Sequence, residues 1–340
     1  MSQGSINGRF VRTVALMLAV APVLLGVGCK GKYIRATTAE KFEATPERLQ
    51  RGQYLVNQLL ACGACHTSRA TGAIFMEGEQ TDHFLAGGNV FDDPPLGRIY
   101  VPNITPDPEG LGAWTDDEIL RALRDGIDKN GRFMVPLMPY NAYKHLSDDD
   151  GKAVIVYLRS VPPAKAPRPR FDSELKLMPR LLFTTFGVQM HKPASNPVPV
   201  DKTDRAAYGR YVMQVAACSE CHSLGERGPH KEGDPLYMAG SDAAFEEPGF
   251  GKIWARNLTP DPETGLGKYT AAQIKAAFRD GKRLDGRRMA PPMAALMPHL
   301  SGITDEDLDA LVAQLVALKP AKHAVREPEL TAEAQKLVTP

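Results

Sequence analysis

Two C-x-x-C-H motifs carry the residues of this chain that are best placed for chemistry. They lie at Cys62, Cys65 and His66 and at Cys218, Cys221 and His222. In such a motif the two thiols can add covalently to the vinyl groups of a haem, and the adjacent histidine can coordinate the iron from one side. The motifs therefore predict two covalently bound haem c groups, one in each half of the chain.

A zinc site and a thiol redox pair are the alternative interpretations of a C-x-x-C sequence. A structural zinc site normally takes a second pair of Cys or His ligands close by, whereas the two motifs here are widely separated along the chain. The chain has 5 cysteines, so the motifs use four and leave Cys29, which has no partner for a structural disulfide. We favour haem, because it accounts for the four motif cysteines together with both adjacent histidines.

Length and composition indicate a globular protein of two domains. The chain has 340 residues, of which 43% are hydrophobic and 24% charged, and a domain commonly holds about 100 to 200 residues. The formal net charge is only +1, which gives no indication of nucleic-acid binding. We therefore expect protein partners and no nucleic acid.

Residues 1–29 have the pattern of an export signal. Arg9 and Arg12 form a short basic region, and the apolar run that follows, Val14 to Val27, is short for a membrane span. The run ends just before Cys29, so the segment resembles a bacterial lipoprotein signal, in which the cysteine is lipidated. An uncleaved N-terminal helix and simple secretion are the alternatives. All three place the haem domains outside the cytoplasm, and a lipid would anchor them on the periplasmic side of a bacterial membrane.

The chain repeats itself at an offset of about 155 residues. The matched segments are Asn103–Glu109 with Asn257–Glu263, Arg124–Gly126 with Arg279–Gly281, and Met134–Met138 with Met289–Met293. Helical patterns precede each motif and follow each downstream methionine. Gly52 and Gly209 lie in the first helix of each unit, where we expect them to let that helix cross closely over the last one. The repeat predicts a mainly α fold with domains at 40–163 and 201–320.

Met138 and Met293 are the best candidates for the sixth ligand of each iron. They lie at matched places in the repeat, each in a proline-bearing loop that would hold a weak ligand in position. A thioether ligand opposite histidine raises the potential of a haem. Met289 and Met297 compete with Met293, and filling core gaps is the alternative role for a methionine. The remaining histidines lack a matched partner and are predicted to be surface or packing residues: His83, His145, His191, His230, His299 and His323.

A proline-rich segment, 164–200, connects the two units. Its centre is apolar, with Leu175, Leu177, Met178, Leu181, Leu182, Phe183 and Phe186. We predict a strap whose short helix packs across both domains, and a helix that faces a membrane surface or a partner is the alternative. The tail, 321–340, is polar and has a weak helical pattern.

Further polar residues occupy matched places near the motifs. Asn103 and Asn257 suit tight turns, and covering a haem near a propionate is the alternative role. Four residues that precede these turns could contact the propionates: Arg98, Tyr100, Lys252 and Trp254. A basic cluster before Met293 is either a solvated surface or a region that steers an acidic partner: Lys282, Arg283, Arg287 and Arg288.

The succession of C-x-x-C-H, N-[IL]-T-P-D-P, R-D-G and P-x-M resembles the cytochrome c subunits of membrane-bound bacterial alcohol, aldehyde and gluconate dehydrogenases. The elements stand at Asn103 to Gly112, Arg124 to Gly126 and Pro136 to Met138, and again at Asn257 to Gly267, Arg279 to Gly281 and Pro291 to Met293. The resemblance implies tandem cytochrome c-type domains that pass electrons from a dehydrogenase to quinone or to a terminal oxidase. Members usually carry three haem domains and a C-terminal membrane helix, whereas this sequence has two motifs.

These observations predict a dihaem c-type cytochrome that relays single electrons. Its donor would be a periplasmic or membrane-bound dehydrogenase, and its acceptor a small cytochrome or a terminal oxidase. We assign no catalytic residue, because an iron held by both histidine and methionine has no open site for a substrate. A dihaem peroxidase is the alternative, and it would require one haem able to free a coordination site for peroxide.

Overall fold

The structure is a computed structural model, and it describes residues 34–69, 81–93, 96–167, 173–181, 199–226, 228–247 and 249–338. The predicted export signal and Cys29 lie outside the described residues, as do 182–198 of the predicted strap. The described part of the chain forms a mainly α protein with short antiparallel strands, as the sequence predicted. No helix in these ranges is both long enough and apolar enough to cross a membrane.

The first domain is built from helices that surround the first C-x-x-C-H motif, with one small sheet. Its helices are α1 (Pro46–Tyr54), which continues as a π-helical turn (Leu55–Leu59), α2 (Cys62–His66), α3 (Asp116–Asp125), α4 (Tyr140–Tyr143) and α5 (Asp148–Ser160). A 3₁₀ turn covers Thr81–His83. The strands are β1 (Val90–Asp93) and β2 (Gly97–Tyr100), which β3 (Glu174–Leu175) joins before the short helix α6 (Leu177–Leu181).

The second domain repeats this order of elements, with one additional pair of short strands after the motif helix among the described residues. Its helices are α7 (Arg205–Val215), α8 (Cys218–His222), α9 (Ala271–Asp280), α10 (Met293–Leu300), α11 (Asp305–Ala317) and α12 (Ala332–Val338). The strands are β4 (Leu224–Gly225), β5 (Gly228–Pro229), β6 (Phe245–Glu247), β7 (Gly251–Ile253) and β8 (Glu329–Leu330).

The first helix of each domain, α1 or α7, crosses the long helix α5 or α11 at a glycine. A Cβ atom on Gly52 would lie 2.0 Å from the carbonyl oxygen of Ala153 on α5, and one on Gly209 would lie 2.4 Å from that of Ala310 on α11. These distances are far inside van der Waals contact, so only glycine permits the approach. The expectation for the two glycines is confirmed.

Helix-terminal residues explain the other repeated sequences. Thr115 and Glu118 form a capping box at the start of α3, and Thr270 and Gln273 do the same for α9. Both helices end at the glycine of an R-D-G sequence, which adopts left-handed backbone angles. The repeated sequences thus determine where α3 and α9 begin and end.

The predicted strap and the tail prove to be equivalent additions. β3 pairs with β2 of the first domain through Gly97 and Leu175, and β8 pairs with β7 of the second through Gly251 and Leu330. In its described part the strap therefore adds a strand to the first domain. The expectation of a helix packing across both domains is wrong for α6, whose Leu177 is 70% exposed.

One buried apolar cluster runs through both domains. It includes Leu55, Leu59 and Ile155 of the first domain together with Val212 and Leu311 of the second. A continuous core of this kind resists relative movement of the domains, because separating them would expose apolar surface to water.

Candidate haem centres

Each C-x-x-C-H motif forms a short helix that begins after a residue with left-handed backbone angles. Ala61 has φ of 48° before α2, and Ala217 has φ of 57° before α8. The reversal lets the long first helix of each domain turn sharply into the motif. The motif is thereby placed against the core, with the three functional side chains on one turn of helix.

A backbone carbonyl holds each motif histidine in one orientation. The Nδ1 atom of His66 lies 2.9 Å from the carbonyl oxygen of Pro102, and that of His222 lies 2.7 Å from the carbonyl of Arg256. Because a carbonyl oxygen only accepts, Nδ1 carries the proton and Nε2 keeps its lone pair. Burial lowers the pKa of both imidazoles, so each stays neutral, as an iron ligand must.

This carbonyl is a functional contact that the sequence analysis missed. The residue that supplies it comes directly before the repeated Asn103 or Asn257, and its side chain is different in the two domains. A signal was present in the repeat itself, since the invariant turn fixes the position of the peptide that precedes it. Such outer contacts orient a metal-binding histidine and increase its basicity.

The motif thiols lie in apolar surroundings. Burial raises the pKa of Cys62 and of Cys218 to about 12. The pKa of Cys221 is also raised to about 12, mainly by burial and in addition by the negative charge of the nearby Glu220. Redox-active C-x-x-C pairs have a lowered thiol pKa, because the thiolate is the reactive form. The thiol redox interpretation therefore fits these cysteines poorly.

The described residues contain no cluster of three or more His, Cys, Asp or Glu side chains that could hold a metal ion. A structural zinc site takes four such ligands. The donor set suits haem instead, with a neutral imidazole nitrogen and two thiols side by side on one turn. The residues that are present therefore fit the cofactor that the motifs predict.

Each candidate methionine lies at or just before the start of a helix. Met138 lies one residue before Pro139, the N-cap of α4, and Met293 is the first residue of α10. Their side chains are partly buried. Met138 and Met293 thus lie near a helix start in each domain, and their ligation stays a prediction.

The two competing methionines differ in their surroundings. Met297 is buried, with 5% of its surface exposed, and its Cβ lies 3.5 Å from the position of a Cβ on Gly281. At the matched glycine of the first domain, Gly126, the ring of Tyr140 fills this space. Met289 donates its backbone N–H to the carbonyl of Gly281, as Met134 does to that of Gly126.

The repeated asparagines hold their own turns together. The side-chain oxygen of Asn103 accepts from the N–H of Thr105 at 2.8 Å, and its amide nitrogen donates to the carbonyl of Ala164 at 2.7 Å. Asn257 makes the matched bonds to Thr259 and to the carbonyl of Ala321. The turn role is thus the one that the structure supports. Each asparagine also ties the segment after the last helix to its domain.

Other polar residues near the turns are engaged within the protein. Trp254 is buried, and its indole N–H donates to the carbonyl of Asp242 at 3.1 Å. Lys252 lies 3.8 Å from the carboxylate of Glu246. His323 and His299 are held by backbone carbonyls, which agrees with their predicted packing role.

The two motifs face each other across the boundary between the domains. Helix α10, which begins at Met293, packs against α2 of the first motif. Glu220 of the second motif lies close enough to Tyr140 and Tyr143 of the first domain to influence both phenols electrostatically. This arrangement places two metal-binding helices and two methionine-bearing loops in one region of the molecule.

The comparison with family models gives a direct result. The cytochrome c model matches twice, at residues 49–162 and 206–319. The chain belongs to the cytochrome c family and contains two tandem cytochrome c domains. It therefore carries two covalently bound haem c groups, and its two cysteine pairs fit the attachment motif.

Several curated proteins are similar to this chain. The fructose dehydrogenase cytochrome subunit of Gluconobacter japonicus is 30% identical over 323 residues, which cover 92% of this chain and 61% of that protein. The gluconate 2-dehydrogenase cytochrome c subunit of Pantoea cypripedii is 29% identical, covering 81% of this chain and 60% of that protein. A dihaem cytochrome c-type protein of Cereibacter sphaeroides is 26% identical, covering 75% and 80%. The chain thus spans about three fifths of the dehydrogenase subunits.

Proposed function

We propose that this protein is a dihaem electron carrier that relays single electrons between a periplasmic or membrane-bound dehydrogenase and a downstream acceptor. The acceptor would be a small cytochrome or a terminal oxidase. The observation that carries the proposal is the pair of equivalent centres, each with a carbonyl-held histidine and a methionine at the matched position. Similarity to cytochrome subunits of fructose and gluconate dehydrogenases supports the choice of donor.

The proposal assigns the haem-binding residues of each domain. In the first domain they are Cys62, Cys65, His66 and Met138, and in the second they are Cys218, Cys221, His222 and Met293. When bound, each haem supplies an iron that takes up or releases one electron. The cysteines would fix the macrocycle covalently, the histidine would bind from one side, and the methionine would occupy the other.

The residues around each centre favour electron transfer over substrate chemistry. The carbonyl of Pro102 or Arg256 keeps the imidazole in one tautomer, so the ligand needs no rearrangement when the charge of the iron changes. A methionine in the sixth position of each iron would leave no place for peroxide. A peroxidase role gains no support from the relatives described above, which are cytochromes and cytochrome subunits.

Membrane association forms part of the proposal and rests on the sequence. A lipid on Cys29 would hold the two domains on the periplasmic side of the membrane, where a membrane-bound dehydrogenase could reach them. The predicted domain boundaries, 40–163 and 201–320, likewise stay proposals. Labelling with a radioactive fatty acid, with Cys29→Ala as the control, would test the anchor.

The ligand assignment can be tested by redox titration of the full-length holoprotein. Three matched variants, Met138→Leu, Met293→Leu and Met297→Leu, preserve volume and remove one thioether each. We expect each of the first two to lower the potential of one haem and to abolish its methionine-to-iron absorption band. Met297→Leu should leave both haems unchanged. Loss of a band in Met297→Leu, or its retention in Met293→Leu, would contradict the assignment.

A further inference from the structure

Two tyrosines reach across the boundary between the domains in reciprocal fashion. Tyr54, at the end of α1, donates its hydroxyl to a carboxylate oxygen of Asp307 in the second domain at 2.6 Å. Tyr211, on α7, donates to a carboxylate oxygen of Asp150 in the first domain at 2.5 Å. The two pairs occupy matched positions of the repeat. The contact is therefore self-complementary, as in a twofold dimer interface.

Each tyrosine hydroxyl also closes the end of a helix in the opposite domain. Tyr54 accepts from the backbone N–H of Thr304, the N-cap of α11, at 3.3 Å, and Tyr211 accepts from that of Ser147, the N-cap of α5, at 3.5 Å. Free N–H groups at a helix start need an acceptor. A phenol hydroxyl of one domain thus accepts a hydrogen bond at the start of α5 or α11 in the other domain.

The carboxylates that receive these bonds are deeply buried. Asp307 is fully buried and Asp150 is 8% exposed. Burial, reinforced by the neighbouring carboxylates, raises the pKa of Tyr54 and Tyr211, so both phenols stay protonated donors. A buried carboxylate that loses a donor is costly, because water cannot replace the bond.

Each carboxylate has a second donor from its own domain. Arg51 binds both oxygens of Asp150, each at 2.8 Å, and Tyr208 donates its hydroxyl to Asp307. The in-domain bonds orient each carboxylate, and Arg51 also reaches across the boundary to within 3.8 Å of a carboxylate oxygen of Asp307. The cross-domain bonds are therefore the part of the cluster that depends on the relative position of the domains.

A third cross-domain contact lies beside the first motif. The Nδ1 atom of His299, on α10, lies 2.7 Å from the carbonyl oxygen of Asn57, in the turn that leads into α2. Movement of the domains at the tyrosine contacts would therefore also move α10 relative to α2. The distance between the two haem centres depends on this same boundary.

We propose that Tyr54 and Tyr211 are positioning residues that hold the two domains in one arrangement and thereby set the rate of electron exchange between the haems. This inference rests on the proposed relay function. Each hydroxyl contributes a hydrogen bond to a charged, buried acceptor, so removing one lowers the ratio of molecules with this domain arrangement to molecules with a displaced one roughly tenfold or more, while the shared core keeps the domains together. Removing both compounds the effect.

The test uses the full-length holoprotein and the double variant Tyr54→Phe/Tyr211→Phe, which removes only the two hydroxyls. Tyr208→Phe is the matched control, because it removes a phenol bond to the same Asp307 from within one domain. Rapid reduction followed by absorption spectroscopy reads the exchange rate between haems. Pulsed electron paramagnetic resonance reads the distance between the two irons, and redox titration reads each potential.

In the double variant we expect slower, multiphasic exchange and a broader range of distances between the irons, with the spectrum and potential of each haem unchanged. Tyr208→Phe should retain a single distance and the rate of the unsubstituted protein. Unchanged exchange in the double variant, or equal slowing in both variants, would overturn the inference. Absence of exchange in the unsubstituted protein would defeat the relay function instead, and the distance measurement would still decide whether the tyrosines position the domains.

Discussion

Substitution of Gly52 by alanine should destabilise the first domain through a steric clash. The new Cβ would lie 2.0 Å from the carbonyl oxygen and 2.7 Å from the carbonyl carbon of Ala153, so the backbone of α5 must move away from α1. Overpacking of a core commonly costs about 1 to 3 kcal/mol, and a backbone obstacle belongs at the upper end. Replacing glycine in a helix gains about 1 kcal/mol. The free energy of unfolding should therefore fall by about 2 kcal/mol.

Gly151→Ala is the matched control for this prediction. Gly151 lies in α5, and the nearest atom to its new Cβ would be a terminal carbon of Leu120 at 2.8 Å, which a side-chain rotation can remove. The helix-propensity gain should then offset the clash, leaving stability nearly unchanged. Urea unfolding of the holoprotein, followed by circular dichroism, measures both variants. Equal stability of Gly52→Ala and Gly151→Ala would refute the argument that close helix crossing requires the glycine.

Three other outcomes can be checked in the same protein. Asn103→Ala breaks the buried bonds that tie its turn to the carbonyl of Ala164, and should cost about 2 to 3 kcal/mol in urea unfolding. The double variant Cys62→Ala/Cys65→Ala should lose one covalently bound haem and keep the other, as the haem-to-protein ratio would reveal. Arg288→Glu should slow electron exchange with an acidic redox protein at low salt and have little effect at high salt, measured by stopped flow.

The sequence was sufficient to predict the haem motifs, the repeat and the mainly α fold. These features depend on local residue types, such as the two cysteines and the histidine of a motif, or the glycines that permit a close crossing. Gly52 and Gly209 could be assigned because glycine in a helix interior lowers stability unless its small size is needed. Signals of this kind depend on neighbouring residues only, so they can be recognised in the sequence without knowledge of the fold.

Other features could not be predicted because they depend on distant partners or on the backbone. The carbonyl of Pro102 orients His66 through a peptide group, so its signal lies in the repeated turn that follows and not in the type of the residue that supplies it. Tyr54 and Asp307 are 253 positions apart, and a tyrosine in a helical pattern most often signals packing. The strap was predicted as a bridge between domains, because the strand at Glu174–Leu175 is too short to be recognised from alternation.

The reciprocal tyrosine contacts give the two domains of this polypeptide a boundary like that of a twofold dimer. In an assembly of two separate copies, every substitution appears twice, so a change that suits one partner is imposed on both faces. Two domains of one chain are free of that constraint, because each has its own sequence. The matched loops that contain Ile127 and Lys282 differ in residue type. Ile127 pairs with Phe133 in the first domain, whereas Lys282 pairs with Arg288 in the second. The molecule thus keeps one symmetric boundary and has two chemically different ends, and in the proposed relay these ends are distinguishable surfaces for a donor and an acceptor.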